Sequence, residues 1–243
     1  MTICGRSQDR LRTAATQLGA LAAGGAAVGW ATCDVAKKTA WPQPSPRPPT
    51  GPAGSLDLAV ASAGTGTMGP VIALPLEEWD RVLATNLTGA FLLFKHAGAA
   101  MARSGGGAMV AISSIAAPLT HRYMAPYSVS KAGLDVLVKV TADELGRAGV
   151  RVNSVRPGVV ATELGDHLLG DPAVVADYLA QMPLARVGTV QDVAAAVRFL
   201  LGPESSWITG QCLGVDGGHA LRRGPDLEHW ARAAYGDAAV DGG

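Results

Sequence analysis

The stretch Ala108-Met-Val-Ala-Ile-Ser-Ser114, followed after a short loop by Pro126-Tyr-Ser-Val-Ser-Lys-Ala-Gly-Leu-Asp-Val-Leu-Val-Lys-Val140, decides the fold. The first run is apolar, short and preceded by the glycines at 105 to 107, which marks a strand. The second opens with proline and extends to Arg147, and it reads as a helix. Val150 to Val155 is again β-type. A strand, a helix and a strand in succession predict parallel pairing with the helix laid across the sheet. The same rhythm extends outward. Thr2 to Gly5 reads as the end of a strand, and Ser7 caps a helix in which Leu11, Ala14, Ala15 and Leu18 recur at helical spacing. Val28 to Cys33 is a strand, and Leu56 to Ser62 is uninterrupted enough to be buried on both faces. Pro75, Glu77 and Glu78 open a helical region reaching about Arg103. Gln191 to Leu201 is a helix and Cys212 to Val215 a last short strand. The predicted class is α/β, a doubly wound parallel sheet in three α/β/α layers.

Bulk properties narrow the function. The 243 residues are 48% hydrophobic, enough for the core of one domain spanning 1–243. Twenty basic and twenty acidic side chains balance, without a basic block, so nucleic acid is not an expected partner. No apolar run approaches the roughly 20 residues that cross a bilayer, and the first residues lack a secretory pattern, which predicts no membrane association and a cytoplasmic location. Cys4, Cys33 and Cys212 fit neither a redox pair nor a metal-ligand spacing, so they read as structural thiols, with no metal. Prolines at 42, 44, 46, 48, 49 and 52 forbid a crossover helix there. Residues 42–54 are either a polyproline-like surface segment or a misread frame.

The chemistry centres on Tyr127 and Lys131. Four residues apart on one helix, they share a face, and an ammonium beside a phenol favours the phenolate and draws it towards the range of a working acid/base. Alone, the pair is equally a surface tyrosine beside a solvated lysine. Position raises it. Ser113 and Ser114 end a strand at the carboxyl edge, where open α/β sheets bind ligands, and a hydroxyl at 114 can donate to a carbonyl oxygen that gains charge. The plainer alternative is a serine that closes a turn.

These residues resemble the short-chain dehydrogenases/reductases, in particular the 3-oxoacyl reductases. Ser114, Tyr127, Lys131 and Asn86 match the family's catalytic Ser, Tyr-x-x-x-Lys and Asn. The resemblance runs through nearly the whole chain, in order: Asp34-Val35 after a strand, Ala63-Gly64 after the next, Thr-Asn-Leu-Thr-Gly around Asn86, Pro157-Gly158 followed by Thr162, and Val215-Asp-Gly-Gly218. It implies a Rossmann-like fold and an NAD(P)-dependent interconversion of a carbonyl and a secondary alcohol. It also implies that Lys131 holds the nicotinamide ribose, that Asn86 sustains a water relay through a helix kink, that Val160 and Thr162 meet the carboxamide, and that Asp34 faces the adenine. Tyr127, Val35, Ala63, Gly64, Pro157 and Gly158 complete the implied cofactor contacts. Ser62 stands where many relatives have Asn.

Arg6 lies just past the first recognisable strand, where such folds choose between cofactors. With Ser7 it offers a guanidinium and a hydroxyl in place of a carboxylate, which favours NADP(H) over NAD(H). Relatives open with a strand and a glycine-rich pyrophosphate turn. Neither is found at the start of this sequence, so the first strand is expected to be missing, the sheet split, and roughly 25 residues to precede Met1. Residues 163–190, with Leu164, Leu168, Val174, Val175, Tyr178, Leu179 and Met182, occupy the place of the family's substrate lid and suggest a small hydrophobic ketone or alcohol, although an ordinary core helix shows the same spacing. His121 and Tyr123 stand in the loop ahead of Tyr127. Phe91 to Met101 and Val129 to Val140 carry more apolar surface than one sheet face would cover, and the resemblance implies a subunit interface there, in a homotetramer or dimer. Two other readings stay open: an epimerase or dehydratase using the same Tyr-Lys pair, and a catalytically silent scaffold or fragment unable to bind cofactor.

Overall fold

The structure, a computed structural model, describes residues 1–24, 26–37, 55–221, 232–233 and 237–238. The proline-rich segment 42–54 lies outside the described residues. The chain opens on β1 (Thr2–Gly5), followed by α1 (Gln8–Leu21) and β2 (Gly29–Thr32). Ser7 caps α1 by accepting from the Arg10 backbone N–H. β3 (Leu58–Ala61) leads to α2 (Leu76–Leu83), a π turn at Ala84–Thr88 and α3 (Gly89–Ser104). β4 (Gly107–Ile112), α4 (Ala125–Leu145) and β5 (Val150–Pro157) form the unit read first from the sequence. The short α5 (Asp166–Leu169) and α6 (Pro172–Gln181) precede α7 (Val190–Leu201) and β6 (Cys212–Val215). Thr189 and Asp192 form a reciprocal capping box that starts α7.

All strand pairs are parallel, as expected for an α/β layer architecture. β4 and β5 form the centre, and their alternate residues enter two separate cores. Met109, Val150 and Val152 pack with Phe94, Met101, Leu134 and Val138 of α3 and α4. Val110 and Val155 pack with Leu200 of α7 on the opposite face. Helices therefore cover both faces of these two strands, which is why their sequence reads as almost continuously apolar.

Two expectations are corrected. A first strand is not missing: Thr2–Gly5 is a strand, in register with β2 from Thr2 opposite Gly29 to Gly5 opposite Thr32. The sequence lacks a glycine-rich turn here, but a ladder needs only an aligned partner, and β2 supplies one. The described strands lie in two sheets, β1-β2 and β3-β4-β5-β6. The second correction concerns β3, which is not buried on both faces: Leu58 is 52% and Val60 41% exposed. Among the described strands β3 pairs with β4 alone, so it is an edge strand there and its apolar side chains lack a described neighbour on one side.

A close approach fixes the turn after β2. A Cβ on Gly89 would lie 2.9 Å from Val35 Cγ2 and 3.2 Å from the Val35 carbonyl oxygen, so only glycine lets that turn rest on the start of α3. Asp34 Oδ1 accepts from the Ala36 N–H and closes the turn.

Candidate active site

The carboxyl ends of β3 and β4 and the first turns of α4 converge on Tyr127. Ser114 follows β4 and hydrogen-bonds the Tyr127 phenol. Lys131, one turn along α4, brings its Nζ to 5.6 Å from the Tyr127 ring centre and donates to the Ile112 carbonyl at 2.7 Å. Burial, the largest cause, pushes the phenol above its usual value, and the Ser114 hydrogen bond pulls it partly back. The expected lowering by Lys131 is therefore not the net result. The lysine is only 4% exposed, and burial brings its ammonium down to about 8 against the opposing pull of Asp135. It is the ammonium, more than the phenol, that titrates near neutrality.

Asn86 sits in the π turn, where the Gly89 N–H reaches back five residues to the Ala84 carbonyl. Such single-turn irregularities recur at functional sites because they re-aim a side chain. Asn86 accepts from the Thr65 N–H at 2.8 Å and donates to the Thr65 carbonyl and to Ser130 Oγ, each at 2.9 Å. Ser130 Oγ in turn donates to the Tyr127 carbonyl at 2.7 Å. Asn86 thus joins the loop after β3 to the first turn of the helix that carries Tyr127.

Gly64 lies against both groups: a Cβ there would be 3.6 Å from Lys131 Nζ and 3.7 Å from Asn86 Oδ1. That bare backbone beside an ammonium and an amide, with Gly66 against the Tyr127 ring, fits a sugar hydroxyl pair such as the nicotinamide ribose offers, and any longer side chain at 64 would fill the cradle. Ala63 is exposed beside it. Pro157 ends β5 opposite Val215, and Gly158 passes so close to Asp216 that a Cβ would lie 3.0 Å from its Cα. Val160 bridges to Gly188, and Thr162 Oγ1 donates to the Val160 carbonyl at 3.4 Å. Arg6 and Ser7 lie at the end of β1 on a cleft of about 720 Å³ shared with Arg10 and Leu11, none of whose lining residues belongs to the Tyr127 group. Asp34 and Val35 sit at the end of β2, with Val35 turned onto Gly89.

Sequence reasoning missed several participants. Ser130 lies inside Tyr-Ser-Val-Ser-Lys, and its spacing of three from Tyr127 was a usable signal. Arg81 was less visible: it donates to Thr65 Oγ1 at 2.8 Å and to the Gly66 carbonyl at 3.0 Å, clamping the loop that Asn86 also holds. Tyr178 of α6 meets the buried His219 edge-on at 5.5 Å. Burial, then Tyr127, then Asp177 raise the Tyr178 phenol, so Tyr178 lies within electrostatic reach of Tyr127. His121 Nδ1 lies 3.2 Å from the Leu119 carbonyl, while Tyr123 is exposed in a left-handed conformation at φ 66°.

The sequence profile of the enoyl-(acyl carrier protein) reductase family matches residues 3–220. D-threitol dehydrogenase of Mycolicibacterium smegmatis is 38% identical over 170 residues, covering 70% of this chain and 65% of that protein. A 3-oxoacyl-[acyl-carrier-protein] reductase of Synechocystis is 37% identical over 167 residues, covering 68% of this chain and 66% of that one. The chain thus spans slightly less than two thirds of the length of these relatives. A short-chain type dehydrogenase/reductase from Mycobacterium ulcerans superposes with a TM-score of 0.84 at 37% identity, covering 99% of this chain and 88% of that one. A gluconate 5-dehydrogenase from Burkholderia cenocepacia, solved with NADP and tartrate, superposes with a TM-score of 0.83 at 27% identity, covering 91% and 86%. A parallel α/β/α fold, the convergence of Ser114, Tyr127, Lys131 and Asn86 on one sheet edge, and a family match over most of the chain place this protein in the short-chain dehydrogenase/reductase superfamily.

Proposed function

We propose that this chain interconverts a carbonyl and a secondary alcohol with a nicotinamide cofactor, using Tyr127 as the acid/base. The observation that carries the reading is the buried Lys131 ammonium held beneath a Tyr127 phenol that Ser114 hydrogen-bonds. The nicotinamide supplies or removes the hydride. Tyr127 donates its proton to the carbonyl oxygen, Ser114 donates a hydrogen bond to the same oxygen, and Lys131 stabilises the phenolate that results. Asn86 holds the loop and helix in register and sustains the relay that reloads Lys131. Asp34, Val35, Ala63, Gly64, Pro157, Gly158, Val160 and Thr162 form the cofactor side.

The preferred cofactor is NADP(H). Arg6 opens on the cleft at the end of β1 beside the N-terminus of α1; among the described residues that line it none is a carboxylate, and the Glu163 carboxylate that reaches Arg10 is neutralised by that pairing. Arg6→Gln is expected to weaken NADPH binding about tenfold or more, the scale of a lost charge-assisted hydrogen bond, and to leave NADH binding unchanged. Fluorescence titration with each cofactor measures both, and an unaltered NADPH affinity would remove Arg6 from the site.

The substrate is a small hydrophobic ketone or alcohol, in keeping with the half-buried Val174, Val175 and Leu179 of α6 and the buried Met182 after it. No described helix is long and apolar enough to cross a membrane, and the protein works as a cytoplasmic homo-oligomer, a tetramer or dimer. Phe91, Val129, Val136 and Val140 are all exposed on α3 and α4, a face suited to a second copy. Val136→Asp is expected to lower the oligomeric state in light scattering, and a stable monomer before substitution contradicts the assembly. A second reading, a silent scaffold, draws on the two-sheet arrangement, because no ladder joins β1 to β3 among the described strands. Binding of neither NADPH nor NADH would favour it.

A further inference from the structure

The helix that carries Tyr127 and Lys131 places a third ionisable side chain in line with them. Asp135 follows Lys131 by four residues, so the two side chains share a face of α4 one turn apart. Both are almost fully buried, at 4% and 3% exposure. Asp135 is not left to find its own orientation: Ser154 Oγ donates to Oδ1 at 2.8 Å and Arg156 Nε donates to Oδ2 at 2.7 Å, both from β5. A buried carboxylate with each oxygen pinned is a fixed negative charge, and buried ions persist only when paired in this way.

The charged and titratable groups facing this carboxylate are few. Arg156 approaches from β5, the Cys212 thiol from β6, and Lys131 from the same helix; the thiol is perturbed by both Asp135 and Arg156, which places all three together. Around Lys131 itself, Tyr127 lies on the same helix, the Ile112 carbonyl comes from β4, and the neutral Asn86 comes from the π turn. Among the described residues Asp135 is therefore the negative charge that acts on the ammonium. Burial alone drives a lysine towards its neutral form, and a carboxylate one turn away opposes that drift. Arg156 plays the opposite part, because its positive charge offsets much of what Asp135 supplies.

We propose that Asp135 is a positioning residue for Lys131: held by Ser154 and Arg156, its carboxylate keeps the buried ammonium charged beneath Tyr127. The inference deepens the proposed reaction by naming what sets the charge of Lys131, and its test does not depend on turnover. The protein is labelled with ¹³Cε-lysine, the Lys131 resonance is assigned by its loss in Lys131→Arg, and the chemical shift is followed against pH without added cofactor. Asp135→Asn is expected to lower the Lys131 midpoint by about one pH unit or more. Arg156→Gln is expected to raise it, because the carboxylate then acts unopposed, and Asp135→Glu to restore most of the wild-type midpoint. Opposed shifts from two partners of one ion pair are what a merely structural role cannot produce, since loosening the helix would move both the same way. An unchanged midpoint in Asp135→Asn, or shifts of the same sign in the two variants, overturns the proposal. If Asp135→Asn does not fold, Arg156→Gln decides alone: a raised midpoint supports the proposal and a fixed or lowered one ends it. A protein that shows these shifts but reduces no ketone would refute the proposed reaction and leave this inference standing.

Discussion

Tyr127→Phe is expected to lower NADPH-dependent carbonyl reduction by about 10²–10⁴-fold, the range that a positioned general acid contributes. The substitution removes one oxygen. The ring stays against Gly66 and Lys131, so packing and the first turn of α4 survive. What disappears is the proton that the carbonyl oxygen takes and the partner of Ser114. The environment of Tyr127 suits donation: burial holds the phenol protonated at neutral pH, ready to give its proton away. Lys131, at about 8, is charged at that pH and loses its charge above it. Reduction in the wild type should therefore be level near neutrality and fall as pH rises through about 8, because the phenolate left by proton transfer then lacks its cation. Steady-state rates across pH, read for wild type and Tyr127→Phe, test both statements. Full activity in the phenylalanine variant would remove Tyr127 from the chemistry.

What was legible in the sequence was whatever local pattern determines. Ala108 to Ser114 reads as a strand because the run is short, apolar and preceded by glycines, and α4 as a helix because proline opens it and its leucines and valines recur at helical spacing. Since Tyr127 and Lys131 lie on that one helix, their shared face was also local information. The direction in which Tyr127 titrates was not. Spacing reveals the neighbouring lysine but not the desolvation imposed by the loop after β3, and burial proved the larger effect. The same limit hid the exposure of Leu58 and Val60: the apolar run in β3 was read correctly as a strand, whereas the neighbours it pairs with depend on elements far along the chain. Val35 resting on Gly89 is a contact between distant segments, and neither residue type announces it. The Thr-Asn-Leu-Thr-Gly setting of Asn86 implies a helix kink only through the family resemblance, because the apolar spacing from Trp79 to Phe94 by itself reads as one continuous helix. The π turn that directs Asn86 inward interrupts that helix without leaving a proline or glycine pair to mark it.

That inward turn makes Asn86 the second residue whose loss should be severe. At 1% exposure it satisfies the Thr65 N–H, the Thr65 carbonyl and Ser130 Oγ at once. Asn86→Ala strands these groups, and a buried polar group without a partner costs about 1–3 kcal/mol. Urea unfolding should register at least that loss, and activity should fall together with stability because the loop beside Gly64 and the first turn of α4 lose their common tie. Asn86→Asp separates hydrogen bonding from size. The carboxylate can still accept from the Thr65 N–H, but its other oxygen faces the Thr65 carbonyl and a Ser130 hydroxyl whose hydrogen already serves the Tyr127 carbonyl. Two acceptors in direct contact and near-complete burial raise the pKa of the carboxyl in the folded state above its unfolded value of about 3.9, against the opposing pull of the more distant Lys131 ammonium across Gly64. A raised acid is protonated preferentially in the folded chain, so the destabilisation is present at pH values above the folded pKa and fades as pH falls below it. Asn86→Asp should accordingly unfold at lower urea concentration than wild type at pH 7 and recover part of the difference at pH 5. The protonated form then restores one O–H donor towards the Thr65 carbonyl. A variant as stable as wild type at pH 7 would mean that Asn86 does not hold these two segments together.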